Sequence, residues 1–590
     1  MNHKYFYEEF PPNFQDDQKP INNIQMKRVS SLLLTLSFFV LFLAVSCKKG
    51  DKTGLLVPED AGVVIHINSP SLSSKLSWEE ISQTEWFQEI SKEATDSTAQ
   101  KLLKDPGQSG IDTKADLVFY IKKQGRGGYV AFAGTVKDGA AFEAFNKEIS
   151  KGKATVTKDG DVSYMSTDKP GILAWTSSRF VYIGDSPLPD MQQAFNREGA
   201  HDSYKFPVDS LKMFGKIALT LKSEDNLGKD SRFSSLLQDG SDVHIWANVS
   251  NLYGNSLGGG VLSMMKLNML LDGNVSATSL NFDNGKIAVK SKQYYGEEMR
   301  KILSDFPAKP LSEDVINRIP SQNVVGVFAM NYPPAGLKEF LKATGVDGMA
   351  NGFLGRMGYS IEEFIKANKG ELLISVSDLE IKTQEKVMNM GEGQEPYKYS
   401  TTEPDMKVLF AASINDKPAF DKLVGIALEQ TKGMMSSNSP EIHYKLDNNW
   451  FAASNSQEYV DKFLAGGSAK NAVADKISGH PFGFFIDIQK IIKSTESTVT
   501  DSSGKAAMTA SANMWQDLIA TGGEFKDKAI DFQFEINLVD KNTNSLKQLN
   551  QYINTIYKIQ AEKKKNWRVN YDNSADSLTA PPGVDLKPVN

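Results

Sequence analysis

The chain repeats itself. "YVAFAGTVKDGAAFEAF" (129–145) and "KVLFAASINDKPAFDKL" (407–423) are identical at six of 17 positions. Each reads as an apolar strand, a turn at Asp138 or Asp416, and an amphipathic helix starting near Phe142 or Phe420. Three further blocks recur in the same order. "PEDAGVVIHINSPSLSSKL" (58–76) pairs with "PSQNVVGVFAMNYPPAGLKEFL" (320–341), "VHIWANVSNL" (243–252) with "FGFFIDIQKI" (482–491), and "FDNGKIAVKSKQYY" (282–295) with "FKDKAIDFQFEINL" (525–538). Collinear order across four blocks predicts a tandem duplication into two related lobes, 55–305 and 310–560, with loops gained or lost between blocks.

Within each lobe, extended segments joined as hairpins alternate with helices. In the first lobe the strands are expected over 116–123, 127–136, 171–185 and 268–282. Helices are expected over 71–92 and 139–151. This is the pattern of an α+β fold in which each lobe is an antiparallel sheet with helices packed on one face. Asn284-Gly285 predicts a type I′ hairpin turn, which needs φ > 0 at both residues. The proline-bearing "PAKPLSEDVINRIP" (307–320) marks the boundary between lobes. A helix starting near Thr543 is expected to end in "AEKKKN", where three lysines complement the helix dipole. The tail 566–590 lacks apolar periodicity and is expected to be disordered.

Residues 26–52, "MKRVSSLLLTLSFFVLFLAVSCKKGDK", carry an export signal. Lys27 and Arg28 precede an uncharged apolar run that ends in small residues before Cys47, as a signal peptidase requires. The segment resembles a bacterial lipobox: 26–46 a lipoprotein signal peptide, cleavage between Ser46 and Cys47, lipidation of Cys47, and 47–54 an anchor linker. A retained membrane-spanning helix is the alternative, since the run is close to the ~20 residues that cross a bilayer. Cys47 is the chain's only cysteine and sits at the end of the apolar run, which favours the anchor. Multiple acyl chains, each worth about 0.8 kcal/mol per buried CH₂, then hold the protein at the membrane. Lys48 in place of an aspartate points to the outer membrane, facing the periplasm, with surface exposure an alternative. Residues 1–25 carry acidic side chains and prolines ahead of the signal. They are expected to be a mis-annotated extension, with translation starting at Met26, or else a cytoplasmic leader.

A net charge of −6 argues against a nucleic-acid partner. Once Cys47 is lipidated, no cysteine remains for a disulfide or a thiolate metal site. The histidines, His3, His66, His201, His244, His443 and His480, form no HExxH or other ligand cluster. His66 and His244 fall inside apolar strands, where a structural role is expected. Asp159-Gly160-Asp161 lacks the other oxygen ligands of a calcium loop and reads as a hairpin turn. Trp78 and Trp86 share a helical face and are expected in the core rather than on a sugar or lipid. "GNSLG" (254–258) matches G-x-S-x-G, with Ser256 the weak candidate nucleophile, but a glycine-rich loop is the plainer reading. No cofactor or metal site is expected.

The lipobox, "VPEDAGVVIHIN" (57–68), "VAFAGTVKD" (130–138) and "VLFAASIND" (408–416) together resemble an uncharacterised bacterial lipoprotein family, domain of unknown function 4836. The resemblance implies location and fold and carries no catalytic residue over. The expected function is that of a lipid-anchored, non-enzymatic envelope protein that binds a protein or envelope component through its two lobes. A serine hydrolase acting through Ser256 and a lipid- or glycan-binding lipoprotein are the alternatives.

Overall fold

The structure is a computed structural model that describes residues 56–93, 103, 105–125, 127–150, 154–166, 171–186, 205–253, 272–388, 397–431, 441–467 and 469–576. Its strands in the first half are β1 (Val63–Ile67), β2 (Leu117–Gln124), β3 (Gly127–Thr135), β4 (Val156–Asp159), β5 (Val162–Ser166), β6 (Gly171–Trp175), β7 (Arg179–Asp185), β8 (Val243–Asn248), β9 (Val275–Asp283) and β10 (Lys286–Tyr294). The second half adds β11 (Val324–Asn331), β12 (Asn368–Met388), β13 (Tyr397–Ile414), β14 (His443–Leu446), β15 (Trp450–Ser454), β16 (Phe482–Ile486), β17 (Trp515–Lys526) and β18 (Ala529–Leu538).

Among the described residues these 18 strands form one mixed-connectivity sheet, so the fold is α+β around a large antiparallel sheet. From one edge to the other the order is β4, β5, β6, β7, β3, β2, β1, β8, β9, β10, β18, β17, β16, β11, β12, β13, β15, β14. The halves therefore do not have separate sheets. They join edge to edge, with β10 pairing β18 from Lys286↔Asn537 to Tyr294↔Ala529. Each edge strand satisfies the other's open backbone groups.

Strand β1 lies between β2 and β8, and β11 lies between β12 and β16. Local backbone bonds also match. Asn68 N–H donates to Asp242 C=O (2.9 Å) and Asn331 N–H to Pro481 C=O (2.7 Å). Asn248 N–H donates to Gly62 C=O (2.7 Å) and Asp487 N–H to Val325 C=O (2.8 Å). The helices Gly139–Ile149 and Lys417–Thr431 follow β3 and β13. Each is capped by an aspartate, Asp138 or Asp416, whose Oδ1 accepts a backbone N–H at 3.0 Å. Such caps satisfy donors the helix cannot.

Side chains alternate across the pleat, and one face, here the closed face, carries two cores. The first includes Val64, Tyr120, Ala131, Val181 and Trp246, packed with Leu211, Phe214 and Phe233 of helices Val208–Leu219 and Ser231–Gln238. The second includes Val327, Leu373, Leu409, Trp450 and Phe485, packed with Val315, Val460 and Ile477 of helices Glu313–Asn317, Gln457–Leu464 and Ala474–Ile477.

Helices also pack on the other, open face, which corrects the expectation of one covered face. Leu72 and Phe142 join Ile67, Leu117 and Phe180 there, and Phe420 joins Ala412 and Ile414. Strands apolar on both sides need cover on both sides.

Other expectations also change. The helix expected over 71–92 is three helices, Ser69–Lys75, Trp78–Ser82 and Glu85–Glu93, because Ser77 caps the second with a capping box to Glu80. The segment 307–320, where the boundary between lobes is expected, buries Leu311, Val315, Ile316 and Ile319 in the second core. Gly285 has φ 67°, but Asn284 is not at positive φ and bridges to Asn544, so that turn is not type I′. Asp527 and Lys528, at φ 52° and 66°, supply the two positive-φ positions between β17 and β18. The last helix runs Ser545–Asp576, so the lysines of "AEKKKN" are internal to it and the expected disordered tail is helical as far as Asp576. That helix crosses back to the first half, where Asn550 Oδ1 accepts the Trp86 indole N–H at 3.1 Å and Lys547 pairs with Glu80 at 2.7 Å.

Candidate functional site

Ser46, Cys47, the signal segment, His3, His201 and Ser256 lie outside the described residues. The strand β8 runs straight into the short helix Val249–Tyr253, ahead of Ser256. Gly160, at φ 62°, turns β4 into β5. Trp86 is buried and Trp78 packs beside it, with Phe87 edge-on to both at 5.8 and 5.0 Å. His480 Nδ1 lies 2.6 Å from Glu524 Oε1. Among the described residues no three His, Cys, Asp or Glu side chains converge to hold a metal, and no helix is long and apolar enough to cross a membrane.

The structure does bring His66 and His244 together, across 178 residues of sequence. They are direct partners on β1 and β8, both buried, with Nδ1 atoms 2.9 Å apart. Their outer nitrogens meet carboxylates: His66 Nε2 lies 3.1 Å from Asp116 Oδ2, and His244 Nε2 lies 2.6 Å from Asp239 Oδ1. A bridge between two Nδ1 atoms needs one to donate and the other to accept, since an N–H cannot face an N–H. Beside the pair, fully buried Asp242 accepts from Lys75 Nζ, Ser71 Oγ and Phe282 N–H, each at 2.6 Å. The two imidazoles and Asp242 are buried, while Asp116 and Asp239 at the ends of the bridge are partly exposed. The buried part is a polar core held by its own partners.

A different chemistry appears on the open face around the seam between halves. Phe534 of β18 is 39% exposed, and Ile374 of β12 is equally so. Between them Phe532, Phe482 and Phe328 are partly exposed, and their rings form a chain. Phe328 and Phe482 centroids are 5.7 Å apart, Phe482 and Phe532 6.2 Å, and Phe532 and Phe534 6.5 Å. The chain crosses four strands because Gly522 of β17 pairs with Phe482 on one side and Phe532 on the other. Lacking a side chain, Gly522 lets the two rings meet over it. A Cβ there would lie 2.2 Å from the Asp531 carbonyl oxygen, and its φ of 147° is a glycine conformation.

At Phe532 the row meets a polar cluster of the same face, while its last ring, Phe534, pairs with Val289. Ser291 of β10 is the direct partner of Phe532, and its Oγ lies 2.8 Å from Thr278 Oγ1 and 3.4 Å from Ser276 Oγ. The opposite, closed side of the same seam is charged, with Lys286 to Glu535 at 2.6 Å and Lys292 to Asp531 at 3.7 Å. The strict alternation of β10 and β18 thus makes a two-sided ribbon. Helices Pro334–Ala343, Ile361–Ala367 and Lys417–Thr431 attach at one end of these strands. Helices Ile488–Thr495 and Ser502–Met514 attach at the other, and the first of these packs on β11, β12 and β17. The middle of the face, here called the trough, carries phenylalanines in the second half and, across the seam, Val289 beside the Ser276, Thr278 and Ser291 hydroxyls. Such a surface favours an apolar chain beside a polar group.

Comparison with known proteins adds the following. Residues 54–329 match a family described as a domain of unknown function, DUF4836. No curated protein matches the chain. Two solved crystal forms of TP0453 are similar at 12% identity. Form III covers 45% of this chain and 90% of that one at a TM-score of 0.20, and form IV covers 44% and 88% at 0.21.

Proposed function

For a chain that belongs over residues 54–329 to the DUF4836 family, we propose a lipid-anchored protein of the bacterial cell envelope that binds an amphipathic envelope component on the open sheet face. The observation that carries this reading is the Phe328–Phe482–Phe532–Phe534 row lying beside the Ser276, Thr278 and Ser291 hydroxyls. An acyl chain laid along the rings gains about 25 cal/mol for each Å² of apolar surface removed from water. Its head group meets the hydroxyls, so one orientation is preferred. Binding rather than catalysis is the proposed activity.

The location rests on sequence. Cys47 is the lipidated residue, and Lys48 after it favours the outer membrane over the inner, with the folded part in the periplasm. We also infer that the two halves arose by duplication. The repeated blocks support it, as do the matched strand pairings and the matched bonds of Asn68 with Asn331 and of Asn248 with Asp487. On that reading the trough is a product of fusion, because it exists only where β10 of one half meets β18 of the other.

The test is extraction of the purified protein, expressed with Cys47→Ala so that its own acyl chains are absent, followed by mass spectrometry of the organic phase. A stoichiometric amphiphile, depleted in Phe482→Asp, is the expected result. An empty protein that also fails to take up acyl lipid from vesicles would overturn the reading.

A further inference from the structure

We propose that a second site, on the closed face of the second half, binds a small acidic sugar. A cleft of about 460 Å³ opens where β11, β12, β13 and β15 end together. Its size falls within the ~300–1,000 Å³ usual for small-molecule pockets. The lining is mostly polar, with Pro310 and Trp450 its apolar members, and it is built on paired strand positions: Asn331 faces Glu371, and Ser413 faces Trp450.

Three cations border the cleft, Lys309, Arg318 and Lys369, against two carboxylates, Asp314 and Glu371. One carboxylate is already used. Arg318 Nε donates to Asp314 at 2.8 Å, Arg318 Nη1 donates to the Phe463 carbonyl at 3.3 Å, and the guanidinium lies 5.6 Å from the Trp450 ring centre. Arg318 is therefore fixed, and its charge is partly met. Among the described residues Lys309 and Lys369 form no ion pair, so two ammonium groups at the rim are open to an acid group.

Glu371 supplies the other half of the recognition. Its backbone is held, with its N–H donating to Ser413 Oγ at 2.9 Å, while its carboxylate makes no hydrogen bond among the described residues. Burial pushes that carboxyl up, against the pull of Lys369 and Arg318. Lining the cleft, this partly desolvated acceptor faces the space a ligand would fill, where sugar hydroxyls can donate to it. The amides of Asn331 and Asn449 and the Ser413 hydroxyl provide further partners of the kind hydroxyl groups use. A simple anion meets the lysines but leaves Glu371 unsatisfied, and a neutral sugar does the reverse. The combination selects a molecule with both.

Calorimetric titration of the full chain in detergent decides this, using glucuronate, galacturonate and N-acetylneuraminate, with glucose and acetate as controls. At least one sugar acid should bind saturably, and at least about tenfold more tightly than either control, a difference of ~1.4 kcal/mol. Lys369→Ala and Glu371→Gln should each weaken it about tenfold, while Phe534→Ser on the opposite face leaves it unchanged. Failure of all three acids to bind overturns the proposal. So does equal binding of acetate, or binding untouched by both substitutions.

Discussion

His66 and His244 bridge β1 and β8 through their Nδ1 atoms at 2.9 Å, at the place where β11 and β16 pair Ala329 with Gly483. The second half fills this space differently. Ile477 stands so close to Gly483 that a Cβ there would lie 2.7 Å from its own Cβ. The same pair of strand positions is thus satisfied by a polar bridge in one half and by apolar packing in the other. The histidines are a local solution, and the fold does not require them.

Their interdependence is measurable. His244→Leu strips His66 of its Nδ1 partner and Asp239 of its close contact, leaving buried groups unpaired, and should cost about 2–4 kcal/mol. The double variant His66→Leu/His244→Leu should cost less than the sum of the singles, with a coupling of about 1–3 kcal/mol in urea denaturation. Strict additivity would mean that the bridge contributes nothing as a unit.

Acid should weaken the first half of the sheet through Asp239. Burial alone would raise the Asp239 carboxyl, but hydrogen bonds from His244 and from the Ser241 backbone and hydroxyl outweigh it and hold the group below the usual carboxylate range. A depressed folded value means that the stabilisation is complete above the unfolded value of about 3.9 and is lost as pH falls below it toward the folded one. Urea midpoints taken between pH 6 and pH 3 should fall more steeply for the native chain than for Asp239→Asn. Parallel curves would remove Asp239 from the account.

Gly522 is predicted to be irreplaceable. Even Gly522→Ala drives a methyl group against the Asp531 carbonyl at a φ that only glycine adopts readily. A loss of about 2–4 kcal/mol is expected, together with separation of the Phe482 and Phe532 rings. Thermal unfolding reads the first effect, and aromatic proton shifts read the second. A fully stable alanine variant would mean that this backbone relaxes freely.

Much of this architecture was legible in the chain. The paired blocks give β3 with its helix and β13 with its helix, down to the capping Asp138 and Asp416, because caps and pleat alternation are local chemistry. The seam was not legible. Lys286 to Tyr294 and Ala529 to Leu538 each read as an ordinary hairpin strand, and nothing local says that they will pair with each other. The histidine bridge was hidden for the same reason, since register across 178 residues places those two rings together. Gly522 carries no local signal of its role, although its bareness is what connects the aromatic row. Asn284-Gly285 misled by composition, because pairing of Asn284 with Asn544 takes precedence over the turn preference.

The last helix ties the halves a second time. Asn550→Ala removes the acceptor of the Trp86 indole and should cost about 1–2 kcal/mol. Hydrogen exchange should then quicken in Glu85–Glu93 and along Ser545–Asp576, with β11 to β13 unaffected. Uniform loss of protection would instead indicate a single cooperative unit.

The trough is the central claim, and uptake of a fluorescent single-chain fatty acid by the Cys47→Ala protein tests it most directly. Phe534, 39% exposed, and Phe532 beside it are the residues to change. Saturable uptake that weakens at least about tenfold in Phe532→Ser/Phe534→Ser, with circular dichroism unchanged, is the predicted result. Uptake of equal strength in that variant, or none in the native chain, would contradict it.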